Sequence, residues 1–372
     1  MAWYSGGLAE GSIENYCLLS VSDDLNRTWS PPVLVVQGKQ GVRTGEPLPW
    51  LDPGGRLWLF WNEIHPDKAR RGTWAIRCDS PDVPIAQLHW TEPQFVGGGI
   101  VLGKPLVSRS GAWLAPLDVR NDSPLASQIG KNMAGVSVST DQGVSWTWRG
   151  GWRLADDVND FDEHCIVERG DGSLWAVLRV KAGLLQSTSS DEGRTWSDPI
   201  PFLTGTRTRA HLRRLNSGRL LLLYHDGPAH PGKSGVSYRR EALTAFLSND
   251  EGKTWPKKLL LDPRNRVSYP DATQTPDGRI FVTYDYSRYN TGCKEVLATS
   301  FTEDDILQNR PLPTPTLINR ATGYGNVQEI GSGDEDKMRE KVNKQLLDAP
   351  AQPAGKSGAP HSTDNPTNPS RP

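Results

Sequence analysis

Apolar residues along this chain fall into short clusters, and the clusters alternate with turn residues at a regular interval. The longest apolar runs, Leu57–Trp61 and Leu220–Tyr224, are about five residues long, the length of a strand rather than a helix. Five clusters follow directly on a turn glycine: Gly55-Arg-Leu-Trp-Leu-Phe-Trp61, Gly111-Ala-Trp-Leu-Ala-Pro-Leu117, Gly172-Ser-Leu-Trp-Ala-Val-Leu178, Gly218-Arg-Leu-Leu-Leu-Leu-Tyr224 and Gly278-Arg-Ile-Phe-Val-Thr-Tyr284. A tight turn opening into an apolar run predicts one arm of a β-hairpin.

A second marker interleaves with the first. Ser139-Thr-Asp141-Gln-Gly143-Val-Ser145-Trp146 recurs as Ser189-Ser-Asp191-Glu-Gly193-Arg-Thr195-Trp196 and as Ser248-Asn-Asp250-Glu-Gly252-Lys-Thr254-Trp255. An earlier copy, Ser22-Asp-Asp24-Leu-Asn26-Arg-Thr28-Trp29, has Asn where the others have Gly, and both residues tolerate positive φ. A worn copy runs from Ser80-Pro-Asp82 to Trp90. Both markers repeat every 50–60 residues or so, the size of one propeller blade. Each unit reads as strand, turn glycine, strand, strand, box, strand. The predicted fold is therefore all-β: a six-bladed β-propeller of four-stranded antiparallel blades, with the first blade incomplete in this sequence. Within the box the Asp is expected to accept turn N–H groups, the Gly to take the left-handed position and the Trp to pack between blades. These aspartates are assigned to structure, not to chemistry.

The propeller is expected over residues 1–310 and a largely disordered extension over 311–372. In that extension Thr314–Ile318 reads as a weak strand and Lys337–Leu347 as a brief helix before a Pro/Ser/Asn-rich end. The turn glycine of the first unit falls ahead of Met1. Either the C-terminal chain closes that blade or the sequence begins inside the natural protein, and the second is the expectation.

Composition narrows the function. The 42 Lys+Arg against 43 Asp+Glu leave a net charge of -1, which argues against a nucleic-acid or membrane-surface protein. A bilayer span needs about 20 apolar residues, and no such stretch exists, so membrane insertion is not expected. The first residues carry no secretory signal pattern, so a secreted or periplasmic location would require a longer N-terminus. Cys17, Cys78, Cys165 and Cys293 lie far apart, which argues against a disulfide scaffold and a thiolate zinc site. No cofactor or metal is expected, and the oligomeric state is not encoded in any of these patterns.

The S-x-D-x-G-x-T-W boxes resemble the Asp-boxes of sialidases (neuraminidases) and their BNR-repeat relatives, over about residues 1–306. The resemblance sharpens at three places. Asp162-Glu163-His164-Cys165-Ile166-Val167-Glu168-Arg169 leads to Leu178-Arg179 and then a box, which resembles the family segment carrying a catalytic glutamate and one arginine of a substrate-binding triad. Arg240, ahead of the strand running to Leu247 and the next box, resembles a second triad arginine. Val267-Ser-Tyr269-Pro-Asp271, ahead of a glycine hairpin, resembles the turn bearing the family's nucleophilic tyrosine, with Pro in place of the usual Ser. The triad's remaining arginine belongs to a stretch that would precede this sequence. Glu14 stands nearest the family's acid aspartate.

The resemblance implies an exo-glycosidase for a terminal acidic sugar, with Tyr269 as nucleophile, Glu163 as its activator, Glu14 as acid, and Arg179 and Arg240 on the sugar carboxylate. A phenol suits such a substrate because an anionic nucleophile would be repelled by that carboxylate, while guanidinium groups bind it bidentately. His164, Arg207, Arg209, Arg213, His225, Asp271, Asp285 and Arg288 are further candidates for the tunnel mouth, where the substrate would bind. Two other readings stay open: a propeller lyase or rhamnosidase acting next to a uronic acid, with His164, Tyr269 or His225 as base, and a non-catalytic carbohydrate-binding propeller.

Overall fold

The computed structural model describes residues 2–5, 13–38, 41–65, 70–121, 123–227, 239–288 and 293–322. Their strands form successive antiparallel sheets in chain order. The first sheet holds β1 (Ala2–Ser5), β2 (Tyr16–Leu19) and β3 (Leu34–Val36). The second holds β4 (Arg43–Leu51), β5 (Leu57–Ile64), β6 (Gly72–Cys78) and β7 (Gln94–Gly97). In the third, β8 (Ile100–Val101) and β9 (Leu106–Val107) share the place of one strand beside β10 (Trp113–Val119), followed by β11 (Met133–Ser139) and β12 (Thr147–Arg153).

The fourth sheet comprises β13 (Asn159–Glu168), β14 (Leu174–Val180), β15 (Gly183–Ser189) and β16 (Ile200–Thr204). The fifth comprises β17 (His211–Arg214), β18 (Leu220–His225), β19 (Glu241–Ser248) and β20 (Lys257–Asn265). The sixth comprises β21 (Val267–Gln274), β22 (Ile280–Tyr286), β23 (Cys293–Phe301) and β24 (Thr316–Thr322). Among the described residues helix is confined to short turns such as α1 (Ala126–Ile129) and α2 (Glu303–Gln308). No helix among the described residues is long and apolar enough to cross a membrane.

The molecule is an all-β propeller, but with five complete blades rather than the six expected. In the N-terminal sheet the box at residues 22–29 lies between β2 and β3, so its three strands occupy the second, third and fourth positions of a blade. The expected end of the propeller also moves. β24 pairs with β23 and completes the last blade, so the C-terminal chain closes the sixth sheet, not the first, and the sheet extends past residue 310. The helix expected at residues 337–347 lies outside the described residues.

Each blade buries its faces against its neighbours, and the core is accordingly split into one cluster per interface. Cys17, Leu59, Trp61 and Ile76 join the first and second sheets. Trp50, Trp58, Phe60 and Trp113 join the second and third, and Leu114, Val136, Ile166 and Leu178 the third and fourth. Val177, Tyr224 and Leu222 join the fourth and fifth, and Leu223, Leu243, Val282 and Tyr284 the fifth and sixth. Asn26 of the first box donates to the Thr299 carbonyl at 3.4 Å, which ties the first sheet to the last.

The boxes do the mechanical work the sequence assigns to them. Asp191 accepts from Thr195 N at 2.9 Å and Thr195 Oγ1 at 2.6 Å, while Gly193 N donates to Ser189 Oγ at 2.8 Å. These hydroxyl and amide bonds hold the Asp141, Asp191 and Asp250 carboxyls down at about 2. The box glycine has a second duty. A Cβ on Gly252 (φ +83) would lie 2.5 Å from Cζ3 of Trp175 in the preceding blade, so the turn can seat on that indole only without a side chain. At Gly218 (φ +87) the same Cβ would meet nothing within 4 Å.

This contrast makes a prediction. Gly252→Ala combines the left-handed penalty with overpacking and is expected to cost about 2–4 kcal/mol. Gly218→Ala carries the backbone penalty alone, about 1–2 kcal/mol. Urea denaturation of both variants checks the difference.

Candidate active site

The site is built where the innermost strands lose their regular pairing. In β13 the register jumps between Asn159 and His164, and in β21 between Ser268 and Asp271. Bulges of this kind re-aim side chains that a regular strand would send into the blade faces. The first jump carries Asp160 and Glu163, and the second carries Tyr269, whose φ of +53 is a left-handed conformation rarely held by an aromatic residue. Such strain persists only where surrounding contacts hold it.

Those contacts converge on Arg179, at the end of β14 and only 4% exposed. Its Nη1 donates to Glu163 Oε2 at 2.7 Å and to Tyr269 Oη at 3.1 Å, and its Nε donates to Asp160 Oδ2 at 2.9 Å. Tyr269 Oη in turn donates to Glu163 Oε1 at 3.1 Å. Asp160 is shared with Arg207, whose Nε donates to Oδ2 at 2.6 Å and whose Nη2 pairs with Oδ1. The Tyr269 ring lies between two further cations, with Arg288 at 4.2 Å and Arg240 at 5.3 Å from its centroid. Arg288 also faces Asp285 at 3.4 Å, and Asp285 accepts from Ser268 Oγ at 2.5 Å.

The electrostatics follow from this arrangement. Burial pushes the Glu163 carboxyl up, but Arg179, with Arg209 and Arg240 behind it, outweighs burial and holds it below the ordinary carboxylate range. Burial and then the Glu163 charge raise the Tyr269 phenol, against the pull of Arg179, Arg288 and Arg240. The result is a neutral phenol hydrogen-bonded to an ionised carboxylate.

A second group forms around Asp271, two residues beyond Tyr269. Lys104 Nζ meets Asp271 Oδ2 at 2.8 Å and donates to the Pro49 carbonyl at 2.7 Å, while His211 Nδ1 lies 3.2 Å from Asp271 Oδ1. Lys104 and then His211 hold Asp271 far below its usual range despite burial, and burial lowers His211. Among the described residues, no group of three or more His, Cys, Asp or Glu is gathered to hold a metal ion.

The profile of the BNR repeat-like domain matches residues 1–282. The chain belongs to the BNR repeat-like family. It is 27% identical over 248 residues to the anhydrosialidase of Macrobdella decora, a match covering 61% of this chain and 29% of that protein, so it spans less than a third of that relative. Among solved structures it resembles the intramolecular trans-sialidase of Ruminococcus gnavus, determined with oseltamivir carboxylate, with a TM-score of 0.57 at 15% identity over 78% of this chain and 88% of that one. It also resembles a Dyadobacter fermentans protein of unknown function, with a TM-score of 0.58 at 20% identity over 76% and 83%. At these identities the structural likeness speaks for the propeller fold.

Within this BNR repeat-like protein the structure gathers Glu163, Arg179, Arg240, Tyr269 and Arg288 at one place. Other candidates fall elsewhere. His164 is turned into the blade interface, where Nε2 meets the Gly135 carbonyl at 2.8 Å and the ring stands edge-on to Trp152. His225 meets the Val267 carbonyl at 2.7 Å, and burial lowers it to about 4. Asp271 belongs to the Lys104–His211 group, and Arg213 lies farther along β17, where burial lowers it and Asp271 opposes that shift. Glu14 stands in an exposed turn ahead of β2, and the stretch 6–12 before it lies outside the described residues.

The sequence reading missed Lys104, Asp118 and Glu46, although a count from the turn glycines finds them. Nine residues before Gly55, Gly111, Gly172, Gly218 and Gly278 stand Glu46, Leu102, Glu163, Arg209 and Tyr269. Seven before them stand Leu48, Lys104, Cys165, His211 and Asp271, and seven after them Asn62, Asp118, Arg179, His225 and Asp285. Equivalent places in equivalent blades thus supply the polar lining. Glu46 repeats the Tyr269 geometry, with φ +50 in a bulge before proline, and Arg43 Nη2 donates to it at 2.5 Å.

Asp118 differs from the other carboxylates, because burial raises it to about 6 in spite of Arg120. The folded state therefore holds this proton more tightly than the unfolded chain, whose aspartates titrate near 3.9. Stability from this group is complete below about pH 4 and is lost as pH rises toward 6. Asp118→Asn should accordingly gain stability relative to the parent protein between about pH 4.5 and 7.5 in denaturant titrations. A difference independent of pH rules this out.

Proposed function

We propose that this protein is a sialidase-type glycosidase acting on a terminal acidic sugar, with Tyr269 as its nucleophile. The observation that carries the reading is the hydrogen bond from Tyr269 Oη to the ionised Glu163, with Arg179 bonded to both residues of that contact. A phenol is a poor nucleophile until its proton has somewhere to go, and a buried carboxylate in contact with it provides that place.

In this mechanism Tyr269 Oη forms a bond to the anomeric carbon as the glycosidic carbon–oxygen bond breaks. The phenolic proton passes to Glu163, and the departing oxygen takes a proton from an acid or from solvent. Water then attacks the anomeric carbon as the sugar–tyrosine bond breaks; Glu163 returns its proton to Tyr269 Oη, and the water's proton goes to the group that protonated the departing oxygen or to solvent. Attack by one of the sugar's own hydroxyls in place of water would give an anhydro sugar, the product type that the name of the Macrobdella decora anhydrosialidase indicates. Arg240 and Arg288 beside the Tyr269 ring favour negative charge at the phenol oxygen and at a sugar carboxylate alike. Asp160 acts indirectly, holding Arg179 and Arg207 from below.

The lyase reading has less support, because two of the three bases open to it, His164 and His225, are engaged with backbone carbonyls, which leaves it Tyr269 alone. Turnover of a methylumbelliferyl sialoside tests the proposal. Tyr269→Phe is expected to abolish turnover with the thermal melt unchanged, and Glu163→Gln to slow it by about 10²–10⁴-fold. Undiminished turnover by Tyr269→Phe refutes the assignment.

A further inference from the structure

We infer that a small inorganic anion of the chloride class is bound in the axial channel among Lys104, His211 and Arg213, beyond the phenol–carboxylate pair and separate from it. The inference concerns the charge balance of the channel and does not depend on the sugar reading.

The first support is place. Counted back from the turn glycines, Glu163 and Tyr269 stand at nine residues, Lys104, His211 and Asp271 at seven, and Arg213 at five. Side chains alternate along a strand, and Leu212 of β17 packs into the core between the fourth and fifth sheets. His211 and Arg213 therefore share the other side of β17, where His211 Nδ1 reaches Asp271 of the sixth sheet. Lys104 comes to the same carboxylate from the third sheet. At the count of five the other complete blades carry Trp50, Leu106, Val167 and Thr273, so Arg213 meets no carboxylate at its own level.

The second support is a charge count. Lys104 and Arg213 repel one another, and Asp271 is the charge that opposes the effect of burial on both. Arg209, at the count of nine, adds to the positive charge felt by Lys104. Asp271 Oδ1 has no hydrogen-bond partner, so the carboxylate can still accept a donor, but its single negative charge cannot match two cations. Charge held away from water is costly unless it is balanced. An excess of one positive charge calls for one monovalent anion, and Asp271 would repel a second negative charge.

The third support is a set of open donors. Lys104 Nζ uses two of its three N–H groups, on Asp271 and the Pro49 carbonyl. His211 Nε2 is buried and has no hydrogen-bond partner among the described residues. An anion beside it favours a proton on each ring nitrogen, one facing Asp271 and one facing the anion, against the burial that lowers His211. A halide suits this lining because a sphere accepts donors from any direction.

Bromide replaces chloride and scatters anomalously, so crystals of the full chain grown in sodium bromide test the inference directly. An anomalous peak in contact with Lys104, His211 or Arg213 is expected, and bromide found only on the outer surface overturns the inference. In solution, thermal melts of the full chain compare sodium chloride with sodium methanesulfonate at equal ionic strength. The parent protein should melt about 3–6 °C higher in chloride at about 0.1 M, with a gain that saturates. Arg213→Met removes the excess charge and should melt at the same temperature in both salts. A parent indifferent to chloride overturns the inference. So does an equal chloride gain in parent and variant, because it places the effect elsewhere on the molecule. Should Arg213→Met fail to fold, the bromide peak in the parent decides alone.

Discussion

Arg179 is the group on which the site depends. A guanidinium buried this deeply is tolerated only with its charge matched and its donors occupied, and Asp160, Glu163 and Tyr269 meet that demand from two different blades. The dependence runs both ways. Without Arg179, Glu163 would be a buried carboxylate pushed toward its neutral form, and Tyr269 would lose one of the contacts that hold its left-handed backbone. One buried cation thus fixes the geometry of the phenol–carboxylate pair and its protonation state at once.

The channel is organised in layers because the blades repeat. One level gathers the interruptions of the inner strands and carries Glu163 and Tyr269. The level two residues farther along each strand carries Lys104, His211 and Asp271, with Lys104 and His211 both meeting the Asp271 carboxylate. The same repetition makes a propeller a versatile frame for a site of this kind. Each blade offers an equivalent axial position, and the residue placed there can change without disturbing the interblade cores.

Much of this was legible in the chain. The boxes and turn glycines gave the blade, its strand order and its packing, because hydrogen bonds within a turn and the glycine seat on a neighbouring indole are local requirements that leave a local mark. Glu163, Arg179, Arg240 and Tyr269 were singled out by the resemblance of their segments to those of sialidases, and the structure brings them together. Lys104 was not, because it lies in an unremarkable loop between β8 and β9, and only the ring sets it beside Asp271. His164 misled for the opposite reason. It stands next to Glu163 in sequence, yet the end of the bulge at His164 turns it into the interblade core, against Trp152 and the Gly135 carbonyl.

What the sequence determined by itself is the repeating unit, since turn chemistry and strand periodicity act over a few residues. The number of complete blades, the strand that closes the last of them and the membership of the axial pocket were decided by the tertiary structure. Residues 106 apart, Tyr269 and Glu163, share a hydrogen bond because a closed ring brings the inner edges of separate blades to one axis. No local pattern records which of five equivalent edges will face which.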